Sequence, residues 1–392
     1  MYRGDRFSWG SKGAALVIVC LLVVGANQAQ KDGQKDGKIS SNQWRIADPV
    51  RYENLSIFPV VSRQSADTAN FATLDESLSA GDVIITEGGA ETMRRSRDGR
   101  PVAIPEQRGA SVNQLVLVNR GSKPLLLLAG ELVSGGKQDR IIGKDRIVPP
   151  GAAPLPLDVF CVEAGRWSSG VQFAAGKVMV HPSVREQAAI TQEQDKVWAA
   201  VRNGTVAAPS AVPGLPQPGG APGQTSQSVT VTESTLAGVI ATEAPTQSYS
   251  KLYKSPQVGV PTDAFAEEIR KRFERATAGL KGEAVVGVVV AYGGEVAWSD
   301  IFASPSLFER YWPKLLSSYV VEAMVRPHGS EQPSLNDARE FLKPLVGHET
   351  VDTEPSIYSL RQVTVGKYVE MELEALRPVE ITLHVLKVHH AS

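Results

Sequence analysis

Cysteine is nearly missing from this chain: Cys20 and Cys161 are the only two in 392 residues. No disulfide framework can therefore hold the fold, and stability has to come from a buried core, which a chain of this length can build. Charge of one sign is also lacking. Basic residues number 41 and acidic residues 42, so there is no basic excess for nucleic acid and no acidic solvating block. Nucleic acid is not an expected partner. The apolar run at residues 14–24 is short of the about 20 residues a membrane span needs. Catalytic signatures are missing too. No G-x-S-x-G elbow occurs, and His181, His328, His348, His384, His389 and His390 fall in no ligand spacing, so no metal and no cofactor are expected.

The first thirty residues have their own pattern. Arg3, Arg6 and Lys12 precede the apolar run, and Gly25, Ala26 and Ala29 follow it. A basic start, a short apolar core and small residues predict a cleaved signal peptide over residues 1–29, and hence a secreted or periplasmic protein. The alternative is an uncleaved N-terminal membrane anchor. Cleavage removes three basic groups and one acidic group, which takes the formal charge from -1 to -3 and leaves Cys161 as the one cysteine.

Further along, residues 30–47 hold a KDGQKDGK repetition and read as a flexible tether. Residues 48–203 read as a β-rich first lobe, an antiparallel sheet or small sandwich with strands near 55–61, 82–87, 113–119, 125–128, 141–148 and 155–162. The turn at 121–124 suggests a hairpin between the third and fourth of these. A helix is predicted from Pro182 to a stop at Asn203-Gly204. Residues 204–232 carry no charge and five prolines, which predicts a disordered Pro/Gly/Ser-rich insertion over 204–247. The second lobe, 248–392, reads as helices plus antiparallel strands. A helix begins at Thr262, a hairpin turns at Gly293-Gly294, and a helix starts behind Ser304-Pro305 with a kink or break at Pro313. Residues 369–374 alternate as a strand with one wet face. The fold class is α+β.

The stretch 125–167 concentrates polar groups at the ends of apolar runs. Gly130 to Lys137 mimics a phosphate loop, but the lysine comes one residue late and Gln138 stands where a magnesium-binding hydroxyl belongs. A looser anion nest of glycine amides beside Lys137 and Arg140 stays open. The expected site gathers Glu131, Lys137, Gln138 and Arg140 from one strand end with Glu163 and Arg166 from another, provided residues 125–128 and 155–162 share a sheet. Cys161, Trp167 and Trp312 read as structural: a buried thiol and core aromatics.

Two passages, GELVSGGKQDR…VPPGAAPLPLDVFCVEAGRW (130–167) and DIFASPSLFERYWPKLLSSYVVEA (300–323), resemble the ARPP-type domain, the ADP-ribosylglycohydrolase- and rhodanese-phosphatase-associated protein domain. The likeness runs from about Asp48 to Val388, with the Pro/Gly insertion as a local departure, which implies that both lobes belong to one ARPP-type domain. It implies, by association alone, the handling of nucleotide-derived or phosphorylated compounds. Glu131, Gln138, Arg140, Cys161, Glu163, Arg166 and Trp167 match the family pattern, but no catalytic role comes with them. The leading expectation is a secreted ligand-binding or interaction module with an unknown small molecule or protein as partner. The alternative is a hydrolase acting on a nucleotide-derived or phosphorylated small molecule, with Glu131 or Glu163 as general base and Arg140 and Arg166 as anion clamps. A Cys161 thiol enzyme ranks third.

Overall fold

The structure, a computed structural model, describes residues 43–87, 94–95, 101–102, 114–162, 172–203, 256–326 and 331–390. The predicted signal peptide, the tether up to residue 42, the insertion at 204–247, and Glu163, Arg166 and Trp167 lie outside the described residues. The chain begins with β1 (Trp44–Ile46), β2 (Val50–Tyr52), β3 (Leu55–Ser62), β4 (Ala72–Thr73), α1 (Leu74–Ala80) and β5 (Val83–Glu87). A small ribbon of β6 (Arg94–Arg95) and β7 (Pro101–Val102) precedes β8 (Gln114–Asn119), β9 (Leu125–Leu127) and β10 (Glu131–Gly135). Next come β11 (Arg140–Ile142), β12 (Arg146–Val148), β13 (Leu155–Cys161) and β14 (Phe173–Met179), then helices α2 (Pro182–Glu186), α3 (Gln194–Asn203) and α4 (Pro256–Thr277). The remainder is β15 (Ala284–Tyr292), β16 (Glu295–Phe302), α5 (Pro305–Val325), α6 (Leu335–Phe341), β17 (His348–Glu354), β18 (Tyr358–Val365), β19 (Tyr368–Ala375) and β20 (Ile381–His389).

The apolar run LSIFPVVS makes β3 a strand buried along its whole length, as a strand covered on both faces must be. It pairs antiparallel with β15 from Leu55 opposite Tyr292 to Ser62 opposite Ala284. The resulting nine-stranded antiparallel sheet runs β1-β3-β15-β16-β20-β19-β18-β17, with β2 also on β3. α5 covers one face with Leu307, Tyr311, Leu315 and Tyr319. Ala338 and Phe341 of α6 cover the other, against Phe58, Val60, Val289 and Ile301. Each large apolar side chain so buried contributes about 1.5–3 kcal/mol. Ser304 caps α5 by accepting from the Leu307 amide at 3.0 Å, with Pro305 in the first turn.

A second, six-stranded sheet runs β14-β10-β11-β13-β8-β5, and a three-stranded one runs β12-β9-β4. Between them Leu117, Leu127, Val133, Leu157, Val159 and Phe173 form a separate core, joined by Leu74 of α1. A capping box starts α1: Thr73 Oγ1 accepts from the Glu76 amide, and the Glu76 carboxylate accepts from the Thr73 amide at 2.9 Å. The architecture is α+β, with antiparallel sheets apart from the short parallel pair of β4 and β9.

Several expectations are corrected. Residues 113–119 and 125–128 do not form a hairpin. β8 pairs with β13 and β5, while β9 pairs with β12 and β4. The Asn119 amide explains the parting, because it donates to Lys123 O and Val148 O, both at 3.0 Å, and turns the chain into the other sheet. For the same reason residues 125–128 and 155–162 do not share a sheet. Residues 141–148 are two strands in different sheets. The helix from Pro182 breaks at a π turn over Gln187–Thr191, where the Thr191 hydroxyl donates to Gln187 O at 2.7 Å and Gln192 turns left-handed at φ 54°. α4 starts at Pro256, ahead of Thr262, and α5 runs unbroken through an exposed Pro313. The lobe boundary near 204 does not divide the sheets, since β1–β3 belong with strands from beyond it.

Candidate functional site

The polar loop between β10 and β11 turns its amides inward. The Gly135 amide donates to Asp139 Oδ1 (3.1 Å), the Gly136 amide to Gln172 O (2.9 Å) and the Lys137 amide to Glu87 Oε1 (2.7 Å). The would-be anion nest is thus filled by the chain's own oxygens. Gln138 and Arg140 are buried and joined, Arg140 Nη1 donating to Gln138 Oε1 at 3.2 Å, while Lys137 is exposed.

Glu131 takes a different partner. Its carboxylate accepts from the Leu128 amide at 2.7 Å and from Lys314 Nζ on α5 at 2.5 Å, and the same ammonium reaches Asp75 Oδ2 at 2.9 Å. Burial raises the Glu131 carboxyl, with Lys314 opposing. Burial pulls Lys314 down, but Glu131 and Asp75 together hold it above its ordinary value. The structure brings Gln138 and Arg140 together and sends Glu131 to α5.

Cys161 is buried opposite Arg140 in register. The Gln194 side chain brackets its backbone, accepting from its amide at 2.9 Å and donating to its carbonyl at 2.8 Å. Trp312 is half-buried and packs its ring on Phe273 and Phe308, with centroids at 4.6 and 5.2 Å.

Sequence reading missed a buried quartet. His384 on β20 lies between Asp145 Oδ2 (2.5 Å, from Nδ1) and Asp300 Oδ1 (2.9 Å, from Nε2). Arg185 Nη1 on α2 meets both Asp300 oxygens at 2.8 and 2.9 Å, and its Nε donates to Ala129 O at 2.7 Å. Asp300 also accepts from Trp298 Nε1 at 2.7 Å and from the Tyr319 hydroxyl. Burial pushes the Asp300 carboxyl up, but Arg185, His384 and Tyr319 hold it well below the carboxylate range. Burial pulls His384 down, and the two aspartates more than reverse that. A carboxylate at each ring nitrogen favours the protonated ring, which can donate from both.

Gly130 permits this packing, because at φ 88° a Cβ would sit 2.7 Å from Arg185 Cγ. Arg185, Asp300 and His384 have no exposed side-chain surface. The bonds among its members pin α2, β16, β20 and the segment before β12 together, with Arg185 Nη2 left as a buried donor without a hydrogen-bond partner among the described residues. The available signal was an ionisable residue inside an apolar strand, as in WSDIF and TLHVL, because such a group has to be partnered.

An open site lies elsewhere. The six-stranded sheet curls until its two edge strands meet at one antiparallel bridge, Thr86 opposite Gln172. Beyond that bridge β5 and β14 leave a cleft of about 420 Å³, lined by Val83, Ile84 and Ile85 on one side and by Phe173, Ala174, Ala175 and Lys177 on the other. α1 contributes Leu78 and Ser79. β14 bulges here. Glu131 opposes Met179 while Val133 opposes Ala175, so β14 carries two more residues than β10 across the same span. Gly176 presses against Leu132 O, which a Cβ would approach to 2.6 Å. Lys177 takes a left-handed φ of 52° and is exposed. A bulge that re-aims one side chain at a sheet edge, and a non-glycine residue in that conformation, both recur at functional sites.

Among the described residues no cluster of His, Cys, Asp or Glu could hold a metal ion. Fold and cleft together define a cysteine-poor, antiparallel α+β protein with a curled sheet left open along one seam. A family model, the ARG and Rhodanese-Phosphatase-superfamily-associated Protein domain (ARPP-1), matches residues 43–389, and the chain belongs to that family. No curated protein and no solved structure matches the chain.

Proposed function

We propose that this ARPP-1 protein is an exported binding module whose ligand site is the cleft between β5 and β14. The observation that supports this reading is the bulge that throws Lys177 out beside two strand edges and a lining of mixed apolar and polar surface. Clefts that set a few placed polar groups among apolar walls are the usual form of ligand sites. The hydrolase alternative draws its base from Glu131 or Glu163; the Glu131 carboxylate is 1% exposed and bonded to Lys314 and the Leu128 amide, which disfavours it in that role, while Glu163 lies outside the described residues. Export rests on the pattern of residues 1–29. Among the described residues no helix is long and apolar enough to cross a membrane.

Thermal-shift screening of the purified exported form against nucleotides, sugars, phosphates and short peptides tests the reading. Ala174 is exposed in the cleft, so Ala174→Trp fills it from outside the core. Compounds that stabilise the wild type and not the Ala174→Trp variant are expected. Hits that stabilise both alike would place binding elsewhere, and turnover of a phosphorylated compound that Glu131→Gln or Glu163→Gln abolishes would favour the hydrolase. Intact-mass measurement on protein from the native host should show residues 1–29 missing, and an intact N-terminus would favour the anchor.

A further inference from the structure

We infer that the cleft takes a short extended peptide segment, which adds as a strand between β5 and β14 and sets an acidic side chain against Lys177. The inference rests on the binding-module reading and names its ligand class. β5 and β14 are the two ends of the six-stranded order, and Thr86 opposite Gln172 is the bridge between them. Each therefore turns one row of backbone amides and carbonyls toward the gap, a template for strand addition. The lined part of β5, Val83 to Ile85, spans about 10 Å at about 3.3 Å per residue, room for three or four residues of strand.

The six strands alternate in direction, and the bridge between β5 and β14 is antiparallel. One inserted strand must then run antiparallel to one edge and parallel to the other. Its side chains alternate between the inner side, where Ile85 and Phe173 are buried in the core and leave room for small residues only, and the outer surface, where Ala174 and Lys177 are exposed. Among the described residues Lys177 is the one charged residue lining the cleft and has no ion pair, so charge complementarity selects a carboxylate. A peptide also fits better than a compact anion, because an anion would meet Lys177 and leave both strand edges unpaired.

The probes are capped hexapeptides of alternating Val and Thr with one central Asp, together with the Lys counterpart, a version N-methylated at alternate backbone nitrogens, and an uncapped Asn version. Binding to the exported form is read by fluorescence anisotropy. The Asp peptide should bind at least tenfold tighter than the Lys peptide. Lys177→Glu should reverse that order, and N-methylation should cost tenfold or more. Equal binding of the Asp and Lys peptides overturns the charge assignment, and equal binding of the N-methylated peptide overturns strand addition. Preference for the uncapped Asn peptide would move recognition to a chain terminus, and a peptide-free dimer dissolved by Ala174→Trp would make a second copy the occupant. If all peptides fail while small molecules still give shifts sensitive to Ala174→Trp, this inference falls and the binding-module reading stands. If nothing sensitive to Ala174→Trp binds, both fall.

Discussion

His384 shows how one residue can report on the whole interior. Its two ring nitrogens face Asp145 and Asp300, and Arg185 neutralises the second aspartate. Removing one partner from a buried, hydrogen-bonded charge group costs about 3–5 kcal/mol, since it leaves the other charge uncompensated. His384→Gln should cost that much in urea unfolding. A double-mutant cycle with Asp145→Asn should show coupling of about 0.5–3 kcal/mol. The pH dependence follows from the signs. His384 has a folded value raised above its ordinary one, so its contribution is complete below the unfolded value and is lost as pH rises through the folded one. Asp300 is lowered, so its contribution is present above the ordinary carboxylate range and is lost only as pH falls well below it. The His384 contribution to stability should therefore decline as pH rises above the ordinary histidine value, and His384→Gln should flatten that decline. Parallel curves for the two proteins would remove the imidazolium from the account.

At the scale of elements, α5 carries the clearest local exception. Pro313 stands inside a helix of continuous geometry, exposed, with the Ser317 hydroxyl donating to its carbonyl at 3.2 Å. An interior proline lacks the N–H that would reach back four residues and costs up to about 3 kcal/mol relative to alanine. Because the ring is exposed, Pro313→Ala opens no cavity, and it should raise the urea midpoint with the slope unchanged. A lower midpoint would mean that the helix is held in its proline geometry by its neighbours. Elements of this local kind were legible in the sequence. Ser304-Pro305 marked the start of α5, Gly293-Gly294 the turn between β15 and β16, and the alternation of Val369, Met371 and Leu373 the strand β19. The break after Pro182 was not, because it depends on a hydroxyl-to-carbonyl bond and a left-handed Gln192. For the candidate site, Gln138 and Arg140 were legible as neighbours. The sequence could not foresee that Glu131 would turn to Lys314, far along the chain. Lys177 had only the weak sign of a glycine before it inside a strand, which hints at a bulge.

For the molecule as a whole, the decisive contacts join residues before the 204–247 insertion to residues after it, and no local pattern announces them. Composition shift suggested a boundary there, since a Pro/Gly-rich stretch often separates lobes. Yet β3 pairs with β15 along its length, the quartet links Asp145 and Arg185 to Asp300 and His384, and Ser183 is bound by Glu322 at 2.6 Å. The hydrophobic cluster containing Leu55, Leu132 and Val184 continues through Phe302, Tyr311 and Leu386. Each half therefore leaves strands unpaired and charges uncompensated without the other, and neither fits the description of an independently folding unit. A chain carrying an engineered protease site within 204–247 should, after cleavage, keep its two fragments together through size-exclusion chromatography in native buffer. It should also unfold in one cooperative step, with its midpoint lowered by the loss of the covalent link, because the fragments then pay an association entropy that depends on concentration. Raising the protein concentration should move the cleaved midpoint upward and leave the intact one fixed. Fragments that separate in native buffer, or two resolved transitions in the intact chain, would restore the division into two lobes.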